Sequence, residues 1–146
     1  MSRLVVDASV AVKWFLSEAH SQHARSILDG DHDMLAPDLL IAEFGNVLWK
    51  RIRAGDITEE EAAAALNGLL VTPLQLRSSS ALIVPALDIA NRMQRSVYDA
   101  LYLALAVTEN ARLVTADGKL FDALSATPLS QTLLWVGSLG KDGLPA

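Results

Sequence analysis

The strongest constraint on this chain is its first apolar run, Leu4-Val5-Val6, which ends on Asp7 and is followed at once by helical spacing from Ser9 to Leu16. A short β-branched run of this kind predicts a strand buried on both faces. Asp7 then stands where the first strand ends and the first helix begins. In open α/β sheets that carboxyl edge is where ligands bind. The chain must therefore be read for what else arrives at that edge.

The later segments alternate in the same way. A helix is expected over Ala8 to Leu16 and a polar one over Ser17 to Leu28, closed by the turn signal Asp29-Gly30-Asp31. Met34-Leu35-Ala36 reads as a short strand closed by Pro37, and Asp38 to Arg53 as a helix stopped by Gly55. Thr58 with Glu61 forms a capping box for a helix reaching Leu70. Leu74-Gln75-Leu76 is a weak strand, and Ala81 to Gln94 a helix with Pro85 in its first turn or at a kink. Ser96 caps a helix over Val97 to Glu109 that is apolar almost all round, so it belongs at the centre. Arg112 to Thr115 and Leu133 to Val136 are the last strands, with a short helix from Asp117 to Leu124 between them. This order predicts an α/β fold with a mostly parallel, five-stranded sheet sandwiched between helices, with extra helices on one side. Residues 1–136 read as one domain and residues 137–146 as a loose tail.

Composition narrows the chemistry. The 146 residues contain no cysteine, which excludes disulfides, thiolate metal sites and a cysteine nucleophile. The start is not a signal peptide, and the longest apolar stretch is too short to span a bilayer and carries Asp99, so no membrane association and a cytoplasmic location are expected. A net charge of −5 suits a grip on long nucleic acid poorly, unless the acids gather in one cation-binding pocket.

Four carboxylates stand out by position: Asp7 after the first strand, Glu43 inside the third helix, Asp99 in the first turn of the apolar helix and Asp117 after the fourth strand. Asp7 and Asp117 also read as helix caps, and Asp99 as half of a capping pair with Ser96. Glu43 in mid-helix can cap nothing. Two carboxylates 4 Å apart repel by about 4 kcal/mol at an effective dielectric of 20. Four brought together need a cation, and oxygen-only ligands select Mg²⁺ or Mn²⁺ over zinc. Ser9, Thr115 and Asn46 lie two or three residues from these acids, where they could orient them or serve only as caps and turns.

The blocks Asp7-Ala8-Ser9, Leu40 to Leu48 around Glu43, Val97-Tyr98-Asp99-Ala100 with its apolar continuation to Ala106, and Leu113-Val114-Thr115-Ala116-Asp117 resemble the four signature blocks of PIN domains. The resemblance is to VapC-like toxin ribonucleases of bacterial and archaeal toxin–antitoxin pairs, and runs from Leu4 to about Val136. It implies a PIN-like three-layer α/β/α sandwich. It implies that Asp7, Glu43, Asp99 and Asp117 form an acidic metal site supported by Ser9 and Thr115. It further implies Mg²⁺- or Mn²⁺-dependent cutting of single-stranded or loop RNA, a homodimer, and a cognate antitoxin that silences it.

RNA would have to be held despite the acidic balance. Arg92 and Arg95, just before the Asp99 block, are the expected phosphate contacts, while Lys50, Arg51 and Arg53 read as favourable charges at a helix C-terminus. Trp14, Phe15 and Trp49 read as core or interface residues. His20, His23 and His32 read as solvent-exposed. The rival readings are a nuclease acting on DNA and a non-catalytic binding module in which the carboxylates are caps.

Overall fold

Residues 2–140 and 143–145 are described by the structure, a computed structural model. Strand β1 (Ser2–Val6) lies at the middle of the sheet, with Leu4, Val5 and Val6 buried. It pairs in parallel with β2 (His32–Pro37) on one side and β4 (Arg112–Thr115) on the other. Strand β3 (Leu74–Arg77) joins outside β2, and β5 (Leu133–Trp135) outside β4. The sheet is five-stranded and all parallel, in the order β3-β2-β1-β4-β5.

Helices cover both faces, as a sheet of doubly buried strands requires. Helices α1 (Ala8–Phe15), α2 (Ser21–Asp29), α3 (Leu39–Arg53) and α4 (Glu59–Val71) pack on one another along the outward path from β1 to β3. Helices α5 (Ser79–Met93) and α6 (Val97–Thr108) carry the chain back across the sheet to β4. Right-handed crossovers put outward and returning connections on opposite faces. A last short helix, α7 (Gly118–Leu124), and a 3-10 turn at Pro128–Thr132 lead to β5. The direction of winding reverses between β1 and β4. A crevice therefore opens at their carboxyl ends, the usual ligand position in such sheets.

The anchor of the returning face is α6. Its residues Ala100 to Ala106 are all buried, against α5, β1, β2 and β4. Each of the leucines among them contributes about 1.5–3 kcal/mol on burial. Trp14 is buried too, its indole N–H donating to the Ala24 carbonyl at 2.9 Å. Trp49 instead lies half-exposed, with the Arg53 guanidinium 4.9 Å from its ring centre.

Two expectations change. The second helix begins at Ser21, not Ser17, because the Ser21 hydroxyl accepts from the Glu18 N–H (3.0 Å) and donates to the Leu16 carbonyl (2.9 Å). Those two bonds hold 16–20 as a connector that ends on His20 at φ 66°. Pro85 falls in the interior of α5, past its first turn, since Ser78 caps that helix earlier than expected. Within the segment expected to be a loose tail, Leu139 is buried and bridges Pro145, and a side chain at Gly143 would meet the Ile27 backbone of α2. Lys141, Asp142 and Ala146 lie outside the described residues. Among the described residues no helix is long and apolar enough to cross a membrane.

Candidate acidic site at the sheet edge

Asp7 extends the β1–β4 ladder by one bond, its N–H donating to the Val114 carbonyl at 3.1 Å. It precedes α1 but its side chain caps nothing there. Its Oδ2 accepts instead from Ser9 Oγ (2.9 Å) and Thr115 Oγ1 (2.8 Å). Those hydroxyls accept in turn from the backbone N–H groups of Ala116 (3.1 Å) and Asp117 (3.0 Å). Each hydroxyl thus has its own O–H free only for Asp7, which fixes the carboxylate's rotamer. Burial pushes the Asp7 carboxyl up to about 6; the two hydroxyl bonds pull it back, and the charges of Glu43 and Asp99 add to the rise.

Glu43 enters from α3 and accepts at Oε1 from the Tyr102 hydroxyl of α6, at 2.6 Å. Its carboxyl is also pushed up, by burial first and by the Asp99 charge, with the tyrosine bond opposing. Burial and the Asp7 and Glu43 charges hold the Tyr102 phenol well above its ordinary range, so it remains a neutral donor. Asp99 sits in the first turn of α6, where the cap is Ser96, whose Oγ accepts from the Asp99 N–H at 3.1 Å. The Asp99 carboxylate is left to meet Arg95, 3.1 Å from its Oδ2.

Asp7, Glu43 and Asp99 therefore act on one another electrostatically. Asp117 is attached differently. Its Oδ1 caps α7, accepting from Lys119 N–H (3.0 Å) and Leu120 N–H (3.2 Å), and its backbone meets Thr115. Asn46 is exposed and makes no side-chain hydrogen bond among the described residues. Arg92 is paired with Asp88 at 2.9 Å on the surface, and Arg95 is turned to Asp99. Each of the two guanidinium groups is thus ion-paired with a carboxylate one helical turn away, Arg92 on the open surface and Arg95 partly buried. As arranged, the described residues include no group of three His, Cys, Asp or Glu side chains able to hold a metal ion. The donor set itself, carboxylate and hydroxyl oxygens only, matches a hard divalent cation.

Tyr102 was not among the residues singled out from the sequence. The signal for it was there: a phenol inside a helix buried all round needs a partner, and Glu43 lacked one.

An all-parallel sheet with an acidic cluster at its switch point defines the class, and the comparisons agree. The PIN domain family matches residues 4–126, and the chain belongs to that family. Ribonuclease VapC3 of Pyrobaculum aerophilum is 32% identical over 126 residues, covering 85% of this chain and 96% of its own. A solved Pyrobaculum aerophilum structure superposes with a TM-score of 0.71 at 22% identity, covering 93% of this chain and 90% of that one. A chain of a toxin–antitoxin complex from Klebsiella pneumoniae gives 0.60 at 14% identity, covering 90% and 95%. Within the PIN family the chain resembles the VapC ribonucleases.

Proposed function

We propose that this protein is a metal-dependent endoribonuclease and the toxin of a toxin–antitoxin pair, hydrolysing RNA phosphodiester bonds at the acidic sheet edge. The observation that carries the reading is electrostatic. Asp7 after β1 and Glu43 of α3 have their carboxyls pushed up by burial and by neighbouring negative charge, including that of Asp99 of α6, with Arg95 as the cation beside Asp99. A fold does not keep such a cluster for stability.

Asp7, Glu43, Asp99 and Asp117 would hold Mg²⁺ or Mn²⁺. When bound, such an ion supplies Lewis-acid polarisation of a phosphate and a lowered pKa for water. The protein's own residues do the positioning. Ser9 and Thr115 present the Asp7 carboxylate in one rotamer, and Tyr102 does the same for Glu43. Arg95 balances the Asp99 charge through one of its two carboxylate oxygens. Asp117 ties α7 to the edge through its cap. The proposed partners are RNA, an antitoxin and a second copy of the chain, with the exposed Ile83, Val84 and Leu87 of α5 as available apolar surface. A cytoplasmic site of action goes with this reading.

The cap made by Asp117, together with described carboxylates that interact without closing to a metal-holding group of three, favours one rival, a PIN-like binding module without catalysis. Purified, antitoxin-free protein and its Asp99→Asn variant should be given a cellular RNA pool with Mg²⁺, Mn²⁺ or EDTA. Cutting by the wild type in metal alone, lost in the variant, is expected. Folded wild type that neither cuts nor binds Mn²⁺ in a Glu43-dependent way would establish the binding module.

A further inference from the structure

Beside the acidic edge lies a recess of about 280 Å³ lined by Gly118, Phe121, Asp122 and Trp135. Its position is set by the sheet register. Thr115 pairs with Trp135 across β4 and β5, while Asp7 continues β1 alongside Thr115. Paired residues of a parallel sheet point to the same face. The Trp135 side chain is thus the next one along the sheet from the hydroxyl that holds Asp7. Gly118, at the mouth of the recess, directly follows Asp117.

The recess is built from aromatic groups. The Phe121 and Trp135 ring centres are 5.6 Å apart, and His20 meets the Trp135 ring edge-on at 5.9 Å. Gly137 makes that approach possible, since a Cβ there would fall 2.7 Å from Trp135 Nε1 and 2.9 Å from the His20 ring. Trp135 is only partly buried, and its indole N–H makes no hydrogen bond to a described residue. The carboxylate of Asp122 on the rim is likewise unbonded among the described residues and exposed.

We infer that this recess is a nucleobase subsite, taking one unpaired base of an RNA strand next to the phosphodiester that lies at the acidic edge. The inference rests on the nuclease reading for that phosphodiester. An aromatic face beside a backbone-binding edge is how single-stranded nucleic acid is gripped without sequence-wide pairing. The rim can also hold the polar edge of a base. An ionised carboxylate accepts hydrogen bonds only, and the indole N–H donates only. Every base edge carries an amino or ring N–H donor next to a carbonyl or ring-nitrogen acceptor, so Asp122 and the Trp135 indole together can pair with a base without selecting one.

Two measurements test it. In a Trp49→Phe, Asp99→Asn background, Trp135 is the remaining indole with solvent access, Trp14 being buried. Titration with a short single-stranded oligoribonucleotide should quench its emission, and an abasic strand of equal length should not. Separately, cleavage of oligoribonucleotides differing only in the base beside the cut should fall about 5- to 150-fold in kcat/KM for Trp135→Ala, the size expected for one lost stacking contact. Trp135→Phe should retain most of it, and Phe121→Leu is the second variant should Trp135→Ala not fold. Wild-type cutting by every variant, or equal quenching by the abasic strand, overturns the subsite and leaves the nuclease reading intact. Base-dependent quenching by a protein that cuts no RNA in any metal supports the subsite and removes the nuclease reading.

Discussion

At the junction of α1, α2 and α3, Glu18 receives the Lys13 ammonium at 2.9 Å and the Arg51 guanidinium, and Lys13 also donates to the Ala19 carbonyl at 2.7 Å. At the carboxyl edge of the sheet, Asp7, Glu43 and Asp99 act on one another, with Arg95 bonded to Asp99. Both clusters are half-sunk. In the first every charge has an opposite partner, and the carboxylate uses both oxygens. In the second the charges are mostly of one sign, and two carboxyls are pushed toward their protonated forms. The first arrangement ties three helices together. The second stores unfavourable energy that a bound cation would release, and this separates a structural network from a reactive one.

The contrast breaks most visibly at Asp99. Under the nuclease reading, Asp99→Asn lowers metal-dependent RNA cleavage by on the order of 10³-fold, about 4 kcal/mol of transition-state stabilisation. Its melting temperature in EDTA should hardly fall, because the loss of a pair with Arg95 that is about a quarter exposed is offset by removal of the Asp99 charge that opposes Asp7 and Glu43. Retained cleavage would mean that the edge is not the reactive cluster.

Asp7 gives the next largest effect, and its sign is the informative part. The folded-state carboxyl is raised from 3.8 to about 6, so the native protein binds more protons than the unfolded chain between those values. The Asp7 contribution to the stability of the metal-free protein therefore falls as pH rises through about 4 to 6, by about 2–3 kcal/mol, and is flat above. Asp7→Asn removes that slope. At pH 8 in EDTA it should melt higher than the wild type, while its melting point should respond less to Mn²⁺. Thermal scans across pH with and without Mn²⁺ check both; a variant that melts lower in EDTA would show that Asp7 is held as favourably as Glu18.

The junction should answer in the opposite direction. Glu18→Ala leaves Lys13 and Arg51 without their acceptor, and should destabilise by about 2 kcal/mol at neutral pH, read as a lowered urea midpoint. RNA cleavage by the variant below its melting point should stay near wild type. A stability loss within error would put this network among surface pairs of little consequence.

The two clusters also differ in how far they could be read from the sequence. The edge was legible because the strand order dictates it: a β-branched run ending on Asp7, another ending before Asp117, and an all-round apolar helix opening on Asp99 are local patterns. The Thr58–Glu61 capping box likewise needs four residues, and both of its bonds form at 3.1 Å. The junction was not legible. Lys13 lies on the first helix, Glu18 in a segment read as the start of the second, and Arg51 at the end of the third; only tertiary packing brings them together. Arg95 shows the intermediate case. Its spacing of four from Asp99 announces a pair, but the arginine also has the chemistry of a phosphate contact, and local sequence does not rank the two. Trp135 needed the β4–β5 register, which no short window contains.

The smallest effect lies at Tyr102, and it tests what the one described hydrogen bond to the Glu43 carboxylate does. Tyr102→Phe keeps the ring in the core and deletes the O–H that donates to Glu43. A buried acceptor losing its donor costs about 1 kcal/mol, so the metal-free melting point should drop slightly at neutral pH. The bond also lowers the Glu43 carboxyl, and its loss lets burial and Asp99 push that group higher still. The wild type should lose Glu43-dependent Mn²⁺ binding as pH falls through the Glu43 titration; in Tyr102→Phe the same loss should begin at a higher pH. A purely structural tyrosine would lower the melting point and leave the pH midpoint of Mn²⁺ binding where it was. A shift of the midpoint with little change in melting would identify Tyr102 as the residue that keeps Glu43 ionised, as Ser9 and Thr115 do for Asp7.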